Sequence, residues 1–173
     1  MNQSFPIRPI QRRTVFWFAG FLVFVGGIAL AEATLAFAKQ IHALWFGVVI
    51  IAAVVALLGY SWHGARHGMV ELGRESFRIR GDFYRKRVQR ADITEVRRVD
   101  LEREPGLKPK WKLCGTALPG FQSGWFTLRG GGRAYLFLTG SPDALCLTLR
   151  SGLRVLLNPA EPEAFLAALH KGK

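Results

Sequence analysis

TVFWFAGFLVFVGGIALA at residues 14–31 and LWFGVVIIAAVVALLGYSW at residues 44–62 contain no charged side chain. A bilayer core about 30 Å thick is crossed by about 20 helical residues at a rise of about 1.5 Å each. Both stretches approach that length, and Glu32–Ala43 leaves room only for a tight reversal. The pattern predicts a transmembrane helical hairpin over 14–63, with spans at about 14–33 and 43–62. It follows a basic N-terminus (1–13) and leads through a linker (64–69) into a domain over 70–173.

Basic residues set the expected orientation. Arg8, Arg12 and Arg13 precede the first stretch, Lys39 is the one Lys or Arg of the connection, and Arg66, Arg74, Arg78 and Arg80 follow the second. Lys and Arg gather on the cytoplasmic side. The expectation is a multi-pass protein of the inner (cytoplasmic) membrane with both termini cytoplasmic. Trp17, Trp45, Tyr60 and Trp62 sit near the span ends, where interfacial aromatics belong. Arg12-Arg13 before an apolar run that ends Ala29-Leu30-Ala31 also has the form of a signal peptide. The length of that run and the second apolar stretch just after it favour retention. Glu32 and His42 fall at the boundary of the spans and read as solvated residues; Gly26-Gly27 permits close helix approach.

The rest, about 110 residues, suits one small domain. Net charge is +12 and the pI about 10.7, which calls for an anionic partner. Beside two membrane spans, anionic headgroups are the expected one, and no nucleic-acid partner is called for. Cys114 and Cys146 form no C-x-x-C pair and read as buried thiols. His63-x-x-x-His67 has metal-ligand spacing on a helix but no companion carboxylate or third ligand. No Ser-His-Asp order or nucleophile elbow occurs. The expectation is therefore no catalysis, no metal and no cofactor.

After Gly68 the pattern turns to short alternating segments. Phe77–Arg80, Phe83–Val88 and Ile93–Leu101 read as strands. Glu104–Pro109 reads as a loop, Trp111–Ala117 as extended chain, and Leu118-Pro119-Gly120 as a sharp turn. Trp125–Arg129 and Arg133–Thr139 form a hairpin around Gly130-Gly131-Gly132. Ala144–Leu149 and Leu153–Leu157 form another around Ser151-Gly152. Trp125 and Phe126 are adjacent, so one faces the core and the other does not. Asn158 as a cap, Pro159 and Pro162 in the first turn, two acids, then Ala164, Phe165, Ala168 and Leu169 announce a closing helix.

The candidate binding residues are Arg85, Lys86, Arg87 and Arg90. On a strand Arg85 and Arg87 share a face and Lys86 takes the other. Two readings stand together: a contact with anionic headgroups, and an edge strand defended by charge.

Gly115-Thr116-Ala117-Leu118-Pro119-Gly120-Phe121, Gly124-Trp125-Phe126, Arg133–Thr139 and the segment Asn158–Leu166 resemble the bacterial pleckstrin-homology-like (PH-like) domain, of the membrane-anchored type. The resemblance covers residues 70–170, and its motif residues are Gly115, Leu118, Pro119, Gly120, Gly124 and Trp125. It implies an α+β chain in which a PH-like antiparallel β-barrel or sandwich of about six or seven strands is capped by a C-terminal helix. It also implies a binding role: a scaffold or adaptor that engages a partner protein, a second copy of itself, or anionic lipid. The alternative is an accessory subunit of a membrane enzyme or transport complex acting on lipid. Gly140-Ser141-Pro142-Asp143 departs from the family's pattern.

Overall fold

The computed structural model describes residues 3–10, 12–39, 42–81 and 85–171, so the Gly81-Asp82 turn and Phe83–Tyr84 of the second expected strand fall partly outside the described residues. The chain forms two compact units, residues 12–62 and residues 1–11 with 63–173.

The first unit holds helix α1 (Arg12–Lys39) and most of α2 (His42–Arg66). Within α1, Thr14–Leu35 is long and apolar enough to cross a membrane; a signal sequence near an N-terminus meets the same description. The apolar part of α2, Phe46–Tyr60, is shorter than a span. Glu32 departs from its reading as a solvated residue. Its Oε2 is buried without a hydrogen-bond partner among the described residues, against Gly47, where a Cβ would lie 2.7 Å from that oxygen.

The second unit is built from two sheets and a helix. The four-stranded sheet runs β1 (Gln3–Pro6), β2 (Met69–Leu72), β3 (Ser76–Arg80), β4 (Lys86–Gln89), all antiparallel neighbours. The six-stranded sheet contains β5 (Ile93–Asp100), β6 (Pro109–Leu118), β7 (Phe121–Leu128), β8 (Arg133–Leu138), β9 (Asp143–Leu149) and β10 (Arg154–Leu157), in the order β5-β9-β10-β8-β7-β6. Helix α3 (Pro162–His170) closes the chain.

Alternation drives this unit. In β3, Phe77 and Ile79 are buried while Arg78 and Arg80 are exposed, and Val70, Leu72 and Val88 complete the inner face. A half-buried strand produces that period-2 pattern. Strands β8 to β10 are instead buried along nearly their whole length, because both faces of the six-stranded sheet are covered. One face carries Tyr135, Phe137, Leu147 and Val155. The other carries a cluster of Phe126, Leu128, Leu136, Leu138, Cys146 and Leu156 with Val99, Leu101 and Leu107. Phe137 packs so tightly against Gly68 and Gly81 that a Cβ at either would stand 2.6–2.8 Å from its ring. Phe165 of α3 is fully buried, edge-on to Phe77 at 6.2 Å and to Phe5 at 5.4 Å. Burying such a ring contributes about 1.5–3 kcal/mol, and each edge-to-face pair about 0.5–1.5 more.

The expected barrel does not close: β5 and β6 remain the edges of an open sheet. Nor is the pairing wholly antiparallel, since β8 and β10 run parallel. Among the described residues the larger sheet has six strands, in line with the expected six or seven, and a second sheet adds four more. Two of the additional ones are β1 and β2. The N-terminal segment is not a free basic tail but an edge strand, and it also ties down the approach to α3. The Ile7 N–H donates to Gly68 O, the Arg8 N–H to Asn158 O, and the Ala160 N–H to Pro6 O, each in 2.8–2.9 Å. Helix α2 continues through Gly64 to Arg66, so the connection to β2 is shorter than the expected linker; His63 and His67 stack there at 4.3 Å. Asn158 does not cap α3. Its side chain accepts from the Thr139 N–H and donates to the carbonyls of Ser141 and Asp143, which fastens the 139–143 segment. Glu161 occupies the cap position, with Pro162 in the first turn as expected.

Candidate anion-binding site

The outer face of the four-stranded sheet is rich in arginine, and register explains why. Antiparallel pairing sets Arg78 opposite Glu71 on one side and Arg87 on the other, and Arg80 opposite Met69. Paired residues project to the same face, so Arg78, Arg80 and Arg87 stand together there. Arg74 joins them from the β2–β3 turn, and Arg85 lies just before β4. Sequences of the form Arg-x-Arg on two neighbouring strands, at 78–80 and 85–87, produce this concentration.

Two acids, Glu71 and Glu75, stand near it. Glu71 is engaged by Arg80 at 2.5 Å. Arg87 donates from Nε to Ser76 Oγ at 3.0 Å. Among the described residues, Arg74, Arg78 and Arg87 have no carboxylate partner within ion-pair distance. Glu71, Gly73, Arg74, Glu75, Ser76, Arg78 and Arg87 line an open cleft of about 380 Å³. Like charges directly opposite on a sheet are destabilising. Guanidinium forks offer paired N–H donors that match the oxygens of phosphate and carboxylate. The cleft thus sets the guanidinium groups of Arg74, Arg78 and Arg87, a donor set of the kind that suits an oxyanion, beside the carboxylates of Glu71 and Glu75.

Residues 68–172 match the family described as bacterial PH domain. The chain belongs to that family. PH-like domains are typically binding modules without catalysis. No curated protein and no solved structure matches the chain. Among the described residues of this PH domain and the helices before it, no three His, Cys, Asp or Glu side chains are grouped to hold a metal.

The four basic residues singled out from the sequence are not one group in this PH domain. Arg85 and Arg87 are exposed, and Arg87 stands on the outer face opposite Arg78. Lys86 takes the opposite face, with Nζ 4.7 Å from the centre of the Trp125 ring, which itself stands edge-on to Tyr135 at 5.5 Å. Arg90 is turned inward. It is 8% exposed and donates to the carbonyls of Gly73, Ala168 and Leu169, so it caps the last turn of α3. The cleft gains Arg74 and Arg78 instead. The signal for Arg78 was the alternation Phe77-Arg78-Ile79-Arg80, and Arg74 showed only as one of the basic residues after the second apolar stretch; only the strand register shows that Arg78 meets Arg87.

The motif residues of the PH domain are architectural. Gly115 and Gly124 face each other across β6 and β7, with φ of +154° and +114°. A Cβ at Gly124 would lie 2.6 Å from the Gly115 Cα, so the pair lets two backbones approach closely. Leu118, Pro119 and Gly120 make the β6–β7 turn, with Gly120 at φ +72° where a side chain is disfavoured. The Gly120 turn meets Gly140, whose Cβ would stand 3.1 Å from the Gly120 Cα. Phe126 is buried and Trp125 half-buried, as their adjacency required.

Proposed function

We propose that this chain is a membrane-anchored adaptor whose PH domain takes an anionic headgroup of its own bilayer in the arginine cleft of β2, β3 and β4. The observation that supports this reading is the facing pair Arg78 and Arg87, unpartnered by any described carboxylate, beside Arg74 and the Ser76 hydroxyl. Headgroup attraction contributes about 1 kcal/mol per basic residue near an anionic surface. Three guanidinium groups in one cleft are enough to bias the lipid next to the protein. In this proposal α1 and α2 form a hairpin in the inner membrane with both termini cytoplasmic, in line with the excess of Arg outside the apolar stretches.

Titration of the detergent-solubilised full chain with a soluble short-chain phosphatidylglycerol, followed by calorimetry, tests the site. Binding is expected for the wild-type chain, weaker in high salt, and lost in Arg78→Glu and Arg87→Glu. Equal binding of phosphatidylcholine, or undiminished binding by the variants, overturns it. Orientation is read from a cysteine placed at Ser151, exposed in the β9–β10 turn, in a Cys114→Ser chain. A membrane-impermeant thiol reagent is expected to label it in inverted vesicles and not in intact spheroplasts. Intact mass is expected to retain residues 1–31, which a cleaved leader would not.

A further inference from the structure

We infer that β6, the free edge of the six-stranded sheet, is a second contact of this PH domain with the bilayer, one that inserts Trp111 and Leu113 at headgroup level. Trp111 is 68% exposed and Leu113 52%, two large apolar side chains two residues apart on a free edge, the kind of clustered exposure that marks a contact surface. They alternate with Lys110 and Lys112, both exposed, while Lys108 stands just before the strand and Arg129 is hydrogen-bonded to it through the backbone. None of these four cations has a carboxylate within ion-pair distance among the described residues.

The chemistry of this strip selects its occupant. Tryptophan flanked by lysine is the composition of a membrane interface, where the ring sits among headgroups and the ammonium groups meet anionic lipid. A second protein strand adding to the edge is disfavoured. The β6–β7 ladder slips between Pro109 and Trp111 and again between Lys112 and Cys114, and bulges of this kind, with lysines, are how edges resist pairing. Beside the strip, Trp125 pairs with Cys114 and is covered by Lys86, which lies on the side of β4 away from the arginine cleft. A chain already held in the bilayer needs little intrinsic affinity for such a contact, since tethering raises the effective concentration. In that respect the inference rests on the membrane-anchored reading.

The test uses the full chain reconstituted into phosphatidylcholine vesicles with and without phosphatidylglycerol, carrying a nitroxide on Cys114; Cys146 is buried and stays unlabelled. With phosphatidylglycerol, the label is expected to collide more with dissolved oxygen than with an aqueous nickel chelate, and the order reverses in Trp111→Ser/Leu113→Ser. Water-like collision in anionic vesicles for the parent chain overturns the inference. So does dipolar broadening that disappears on dilution with unlabelled protein, which marks a second copy on the edge. The same serine variant is expected to bind short-chain phosphatidylglycerol in detergent as the wild type does. Loss of that binding in Arg87→Glu with retained insertion of β6, or the reverse, separates failure of this inference from failure of the arginine cleft.

Discussion

Arg78 and Arg87 occupy directly opposed positions on β3 and β4, two guanidinium groups on one sheet face with no described carboxylate within ion-pair distance of either; Glu71, opposite Arg78 on β2, is engaged by Arg80. Like charges directly opposite on a sheet lower stability. Arg87→Glu replaces that repulsion by an attraction to Arg78, a gain of about 0.2–1 kcal/mol, and removes the bond to Ser76 Oγ, a loss of about 0.5–1.5 kcal/mol. The two nearly offset each other. Expected is a urea midpoint close to that of the wild type together with a loss of anion binding of tenfold or more. A large drop in the midpoint would mean that the pair is structural.

Arg90 is expected to behave in the opposite way. Its guanidinium is buried and satisfies carbonyls at the end of α3 and in the β2–β3 turn. Hydrogen bonds from a charged donor contribute about 1.5–3 kcal/mol each, and orphaned carbonyls add to the loss. Arg90→Ala is expected to destabilise the PH domain by about 2–4 kcal/mol in denaturant titration. Arg90→Lys restores little, because one ammonium cannot reproduce the fork. Anion affinity of the folded fraction is expected to fall less than in Arg87→Glu, because Arg90 reaches the cleft only through the turn that carries Gly73 and Arg74.

The Cys146 thiol supplies a pH dependence. Burial pushes its pKa above the ordinary value of 9.0, more than nearby Arg97 pulls it down. Above pH about 9 the unfolded chain loses this proton while the folded chain keeps it, so the folded state binds more protons there. Stability then falls as pH rises. Below pH about 9 both states are protonated and the contribution is constant. The difference in unfolding free energy between wild type and Cys146→Ala is expected to be flat at neutral pH and to shrink as pH climbs above that value. A difference that does not change with pH would contradict the burial of this thiol.

How much of this was legible in the residues follows from the range of the interactions. Local alternation announced β3 and β5, apolar runs set around glycine turns announced β8 to β10, and the Pro162 and Glu163 start with Phe165 and Leu169 on one face announced α3. Strand β1 was not announced. Four residues beside a basic tail carry almost no local signal, and their pairing with β2 joins positions separated by both long helices. The face of Lys86 followed from alternation, but its partner Trp125 lies on another sheet. Arg90 read as a surface cation because its acceptors belong to residues 73, 168 and 169, far along the chain. Gly115 and Gly124 looked like family marks without a cause until register set them face to face.

Strand β1 therefore carries the sharpest remaining expectation. Phe5 is half-buried and stands edge-on to Phe165, which otherwise shares its core position with Phe77. Truncating Phe5 removes part of a ring's burial and one aromatic pair, together about 1–2 kcal/mol. The loss falls first on what β1 covers. Amide hydrogen exchange on the full-length Phe5→Ala chain is expected to speed up in Met69–Leu72 and in α3, while β9 and β10, buried in the middle of the six-stranded sheet, exchange as in the wild type. Uniform acceleration across both sheets would show that the N-terminal strand nucleates the whole domain. No acceleration in β2 would show that β1 does not stay paired, and a fragment starting at Gly68 would then lose nothing by lacking it.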